Sequence, residues 1–103
     1  MRFMRFALFD TNKTSEVAAA SDRVWASPPE GIKILASYIC QGIAFSGAPP
    51  NTMVAIQIIE AESNEAMAAT TYPIALTGAT IWNVPVMELP VGGAAEEEKK
   101  YRK

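Results

Sequence analysis

An α+β domain with the element order β-α-β-β-α-β is what this chain predicts, on three observations. Apolar residues alternate with period two in four stretches, near residues 2–9, 32–41, 52–60 and 79–89. Two stretches between them, near 15–25 and 62–72, carry apolar residues at helical spacing. The segment Ser27-Pro28-Pro29-Glu30-Gly31 separates the first helix from the second strand. Its prolines fix φ and lack amide donors, so no helix continues through them.

Each element has a local reason. Arg2 to Phe9 is the first strand, with Met4, Phe6 and Leu8 on one face and Phe3, Arg5, Ala7 and Phe9 on the other. Asp10 to Lys13 is a turn, and Asn12 or Thr14 is the expected cap of the next helix. Ser15 to Trp25 is that helix. Val17, Ala20 or Ser21, and Val24 recur at helical spacing as the inward face, and Glu16, Asp22 and Arg23 face water.

Ile32 to Gln41 is the second strand, with Ile34, Ala36, Tyr38 and Cys40 opposed to Leu35, Ser37 and Ile39. Residues 42–51 hold two glycines and two prolines and read as a loop, a place for a lid or a contact surface. Thr52 to Glu60 is the third strand. Ser63 caps the second helix, and Pro73 ends or kinks it. Ala79 to Leu89 is the fourth strand, and Pro85, which cannot donate to a ladder, places it at a sheet edge or calls for a bulge there.

The order βαββαβ with right-handed crossovers puts strands one and three at the centre and both helices on one face. This is a ferredoxin-like sandwich over residues 1–90, followed by a charged tail over 91–103. Met4, Phe6, Leu8, Leu35, Ile39, Val54, Ile56, Ile58 and Ile81 are expected under the helices. The open face would then hold Phe3, Arg5, Ala7, Ile34, Tyr38, Cys40, Met53, Ala55, Gln57, Thr80, Trp82 and Val84. That set is too apolar to face water alone. Two such sheets face to face make a dimeric α/β barrel, with Phe3, Met53, Ala55, Trp82 and Val84 as interface residues.

The chain resembles the family catalogued as domain of unknown function 3303. The likeness rests on Met1-Arg2-Phe3-Met4, the hinge Pro28 to Leu35, the Val54 to Glu60 strand with its acidic helix start, Pro73, and Val84-Pro85-Val86. It implies a ferredoxin-like fold of the dimeric α/β-barrel type and no established reaction. Such sequences often carry a Trp-His pair at the end of the second strand. Tyr38 and Ile39 stand there in this chain.

Composition narrows the chemistry. The chain has 103 residues, half of them hydrophobic, no histidine and one cysteine. A domain so short leaves much of its surface uncovered, which favours association. A Ser-His or Cys-His nucleophile cannot be built, and a transition-metal site is not expected. No catalytic residue and no cofactor is assigned, and the chain reads more as a binding or assembly protein than as an enzyme. There is no basic stripe for nucleic acid and no apolar run of about 18 residues for a membrane span. The single Cys40 fits a reducing compartment, so a cytoplasmic location is expected, with Cys40 as a small buried hydrophobe.

Arg5 is the most informative residue. It reads either as an anchor for an anion or carboxylate, or as an interface ion pair or a chain-end arginine that snorkels to water. Tyr38, Gln57 and Trp82 could line a pocket beside it, or simply pack a dimer. Two functions follow. One is a non-catalytic homo-oligomeric module, or a small accessory subunit whose tail docks on a larger complex. The other is a small-molecule binder or cofactor-free enzyme, similar to dimeric α/β-barrel monooxygenases and isomerases, with Arg5, Tyr38, Gln57 and Trp82 around the ligand.

Overall fold

The structure, a computed structural model, describes residues 1–42 and 46–102. Strand β1 spans Arg2–Asp10, helix α1 Thr14–Ala26, β2 Ile32–Ile39, β3 Thr52–Ala61, α2 Asn64–Ala75 and β4 Thr80–Val86. The charged tail adds a short helix, α3, over Ala94–Lys99. Pairs Lys99–Glu96, Lys100–Glu97 and Arg102–Glu98 run along that exposed segment at 3.0–3.2 Å. The fold is α+β, with one four-stranded sheet in the order β2-β3-β1-β4 and every neighbouring pair antiparallel. Pro85 lies on β4, an edge strand, as its missing donor requires.

The hinge works through Gly31. Its φ is +82°, and its carbonyl accepts from the Glu62 amide at 2.8 Å, tying the entry of β2 to the entry of α2. A Cβ at Gly31 would stand 3.0 Å from Glu62 Oε2. Ser63 caps α2 as expected, its Oγ accepting from the Ala66 amide at 3.1 Å. The entry to α1 differs from expectation. Asp10 Oδ1 accepts from the Asn12 amide and closes a single 3₁₀ turn over Thr11–Lys13, and α1 continues from that turn without a side-chain cap. The Thr14 hydroxyl is used backwards, donating to Thr11 O at 2.6 Å. Pro73 does not end α2, which runs two residues further, to Ala75. Residues 43–45 of the long loop lie outside the described residues. The end of that loop is bound to the β1–α1 turn by two bonds from Thr11 to Asn51 O, each 2.7 Å.

The two faces of the sheet are exchanged relative to the sequence reading. Burial along β1 alternates, with Phe3, Arg5, Ala7 and Phe9 buried beneath the helices. Their partners Ile59, Gln57, Ala55 and Met53 on β3 share that side. Met4, Phe6 and Leu8, with Ile58, Ile56 and Val54 opposite them, occupy the face away from the helices. The physical reason is that both sets on β1 and β3 are apolar. Alternation separates two sets but does not say which one a helix covers. The charge on Arg5 suggested the open face, but α2 supplies polar partners that let it be buried.

Strand β2 also switches faces midway. A register shift between Ile34 and Ala36 puts Ile34 opposite Ile59 and Ala36 opposite Ile58. A bulge at Leu35 thus sends Ile34 under the helices, against expectation, while Ser37 and Ile39 remain on the helix side. Leu35 itself is exposed. Ile81, Trp82 and Val84 lie where the sequence assigned them.

Beneath the helices the core is divided. Phe3, Ile32, Ile59, Ala61, Ala66 and Met67 form one cluster, with Trp25 against it. Ala7, Phe9, Val17, Ala20, Ile74 and Ala79 form the other. Arg5 sits between them on β1.

Candidate functional site

The register puts one polar residue from each strand into a single row on the helix side of the sheet, with Ser37 exposed at its edge. Ser37 pairs with Gln57, Gln57 with Arg5, and Arg5 with Asn83. This row separates the two apolar clusters. Its centre, Arg5, is 1% exposed.

Helix α2 supplies the rest of the arginine's shell. Arg5 Nη2 donates to Thr70 Oγ1 and Thr71 Oγ1, both at 2.8 Å, and to Met67 O at 3.4 Å. Arg5 Nε donates to Asn83 Oδ1 at 2.8 Å. Both threonine hydroxyls donate back to Met67 O, at 2.9 and 2.8 Å, and so present lone pairs to the guanidinium. Asn83 Nδ2 donates to Thr71 Oγ1 at 2.9 Å, which fixes the amide with its oxygen toward Arg5. The remaining contact is weak: Nη1 meets Thr70 O at 3.4 Å.

Every one of these partners is neutral. Among the described residues the ion pairs lie at the surface, as Arg2–Glu60 at 3.1 Å does, and none includes Arg5. Burial therefore pushes the Arg5 pKa down to about 10, through desolvation with no opposing charge. The group still carries its proton at neutral pH.

A cavity of about 310 Å³ opens beside this row, between the sheet and α1. Arg5, Ala7, Ala55 and Gln57 form its sheet side. Val17, Ala18 and Ser21 of α1 face them, and Ser37, Tyr38 and Ile39 close the β2 end. Gln57 Nε2 makes one long bond, 3.4 Å to Ser37 Oγ. A larger groove of about 430 Å³ lies at the chain's first residue and the hinge, but it is shallower and mixes Lys33 with Glu60 and Glu62. Among the described residues no three His, Cys, Asp or Glu side chains gather as a metal set. Cys40 is a free, half-buried thiol.

Of the residues singled out from sequence, Arg5, Gln57 and Tyr38 border this one cavity. Tyr38 does so from the edge strand while 61% exposed, and its register partner Ile56 belongs to the other face. Trp82 lies across the sheet, opposite Phe6, and is not part of the cavity. The pocket was expected between two sheets; it lies between the sheet and the chain's own α1. Of the residues assigned to an interface, Trp82 and Val84 are on the open face. Phe3, Met53 and Ala55 are beneath the helices, a consequence of the exchanged faces. Sequence reasoning missed Asn83, Thr70, Thr71 and Ser37. One signal was present: Arg5, Gln57 and Asn83 are each a lone polar residue in the middle of an apolar strand.

No family model matches the chain, so the likeness to domain of unknown function 3303 expected from the sequence is not confirmed. No curated protein matches it. Among the described residues no helix is long and apolar enough to cross a membrane. Among solved structures the chain is similar to a hydantoinase/carbamoylase family amidase from Burkholderia ambifaria, at TM-score 0.40 and 14% identity, over 98% of this chain and 33% of that one. That likeness is too slight to argue from. The chain is also similar in fold to a protein of the domain of unknown function 3240 family from Shewanella baltica, with a TM-score of 0.51 and 11% identity, over 86% of this chain and 93% of that chain.

Proposed function

We propose that this protein is a non-catalytic assembly module, a ferredoxin-like domain whose open sheet face packs on that of a second copy as a dimeric α/β barrel. The observation that carries this reading is the composition of the face away from the helices. Its central rows are Ala36, Ile58, Met4 and Val84, then Tyr38, Ile56, Phe6 and Trp82, with no charge in either. Four strands about 4.8 Å apart and seven residues at about 3.3 Å each make a face of roughly 440 Å² in plan. With side-chain relief this approaches the roughly 800 Å² per partner of a standard interface.

A second copy suits this face better than an unlike partner does. Its charged end carries both signs, with Lys33 opposite Glu60 and Glu60 paired to Arg2. A two-fold operator can therefore bring that end against its own copy without net repulsion.

Sedimentation equilibrium tests the proposal. The wild-type chain is expected at about 22 kDa, twice the 11.1 kDa of one chain. Ile58→Lys is expected to give a folded monomer. A wild-type chain that stays monomeric at roughly 100 μM, about −5.5 kcal/mol on the affinity scale, overturns it.

A further inference from the structure

We propose that the cavity between α1 and the sheet is a binding site for a small monocarboxylate with an apolar body, its carboxylate held by Arg5 and Gln57. The inference goes beyond the assembly reading and does not depend on it, because one chain supplies the whole site.

The first support is the arginine's unbalanced charge. A guanidinium has five N–H donors in a planar fork that fits a carboxylate. Arg5 Nε and Nη2 are held by Asn83 and the two threonines at 2.8 Å, whereas among the described residues Nη1 donates only weakly, to Thr70 O at 3.4 Å. A buried charge without an opposite charge is costly, and several polar contacts reduce that cost without removing it. An anion arriving from solution supplies the opposite charge that the described residues do not bring to Arg5.

The second support is where the space lies. The cavity meets Arg5 and Gln57 together, and these two are directly opposed across β1 and β3. Directly opposed residues have Cβ atoms about 5 Å apart, so the two side chains rise from neighbouring points of the sheet on the side of the cavity. Among the described residues the Gln57 amide is held by one long bond, 3.4 Å from Nε2 to Ser37 Oγ, which a ligand oxygen can replace.

The third support is the rest of the lining. Ala7, Phe9, Val17, Ala55 and Ile74 are apolar, and no second basic residue borders the cavity. One cation in an apolar chamber selects one negative charge on an apolar body. This excludes inorganic phosphate, which keeps its hydration and brings further charge. A volume of about 310 Å³ is at the small end of ligand pockets, enough for a substituted benzoate or a branched short-chain acid.

Isothermal titration with benzoate, benzamide and inorganic phosphate tests the proposal on the full chain. Benzoate is expected to bind saturably. Benzamide, the same shape without the charge, and phosphate are each expected to bind at least about tenfold more weakly. Arg5→Met removes the anchor, but Arg5 is buried and this variant could misfold, so a second variant is needed. Ala18 is exposed on α1 at the cavity wall, and Ala18→Trp fills the opening without touching the core. It is expected to weaken benzoate at least about tenfold, while Ala19→Trp, one residue away and outside the lining, leaves binding unchanged. The proposal is overturned if benzoate does not bind, if benzamide or phosphate binds as well as benzoate, or if Ala18→Trp binds like the wild type.

Discussion

Arg5 Nε donates to Asn83 Oδ1 at 2.8 Å across the β1–β4 pair, so the buried cation of this sheet is held by an amide and not by a carboxylate. The choice has an electrostatic consequence. A carboxylate would stabilise the charge, whereas an amide orients it and leaves the charge uncompensated. The threonine pair of α2 extends the same pattern, with lone pairs from Thr70 and Thr71 in place of anions.

The charge should therefore be visible in alkaline stability. Burial lowers the Arg5 pKa to about 10, and the unfolded chain keeps the ordinary, higher value. Above pH 10 the unfolded state thus binds more protons than the folded state, and stability from this group rises with pH. Below that pH the desolvation cost is present in full. Relative to Arg5→Met, the wild type is expected to gain about 1 kcal/mol between pH 10 and about pH 11. Urea unfolding of both proteins at each pH gives the difference, in which the shared tyrosines and lysines cancel. A difference that stays flat would mean that the folded guanidinium keeps its water.

Thr71 joins three groups at one oxygen. Its hydroxyl accepts from Arg5 Nη2 and Asn83 Nδ2 and donates to Met67 O. Thr71→Val keeps the shape and strands two donors, one of them charged, so it is expected to cost about 2 kcal/mol. Thr71→Ser should keep most of that stability. Because Asn83 loses a partner too, Thr71→Val and Asn83→Leu together should cost less than the sum of the two. Strict additivity in that double-mutant cycle would show that the residues do not act as one network.

Gly31 combines two constraints that a pair of variants can separate. Gly31→Ala places a side chain at φ +82°, which costs about 1 kcal/mol, and crowds Glu62 Oε2 at 3.0 Å. Shortening the acid in a Gly31→Ala/Glu62→Ala protein relieves the crowding and leaves the backbone strain. Thermal melts are expected to rank wild type first, the double variant second and Gly31→Ala last. If both variants melt alike, the Glu62 side chain gives way freely and backbone strain is the whole effect.

How much of this was readable beforehand depended on whether the signal was local. The hinge, the Ser63 cap and the edge position of Pro85 each follow from one or two residues, and each is found in the structure. The sign of the sheet faces is not local. Phe3 and Met4 are neighbours of similar hydrophobicity, and only the packing of α1 and α2 decides which is covered. The bulge at Leu35 was invisible because Ile34, Leu35 and Ala36 are all apolar and a one-residue slip leaves no polar marker. The arginine site was half readable. Arg5 and Gln57 stood out as polar residues within apolar strands, whereas Thr70 and Thr71 gave no sign that α2 would supply the shell.

The exchanged faces give the most direct contrast, between Phe3 and Met4. Phe3 is 6% exposed and packs with Ile59, Ala66 and Met67 beneath the chain's own helices. Phe3→Ala is expected to cost about 3–5 kcal/mol, because the cavity left behind is enclosed by a rigid sheet and helix. Met4 lies on the other side of the same strand, opposite Ile58 and Val84. At protein concentrations low enough to keep the chain monomeric, Met4→Ala should cost well under half as much, since the residue is only half-buried there. If the open faces pair as proposed, Met4→Ala should instead weaken that pairing at high concentration. Urea unfolding at two protein concentrations reads both effects. If Met4→Ala proves the costlier change in the dilute monomer, then the helices cover the face of Met4 and not that of Phe3.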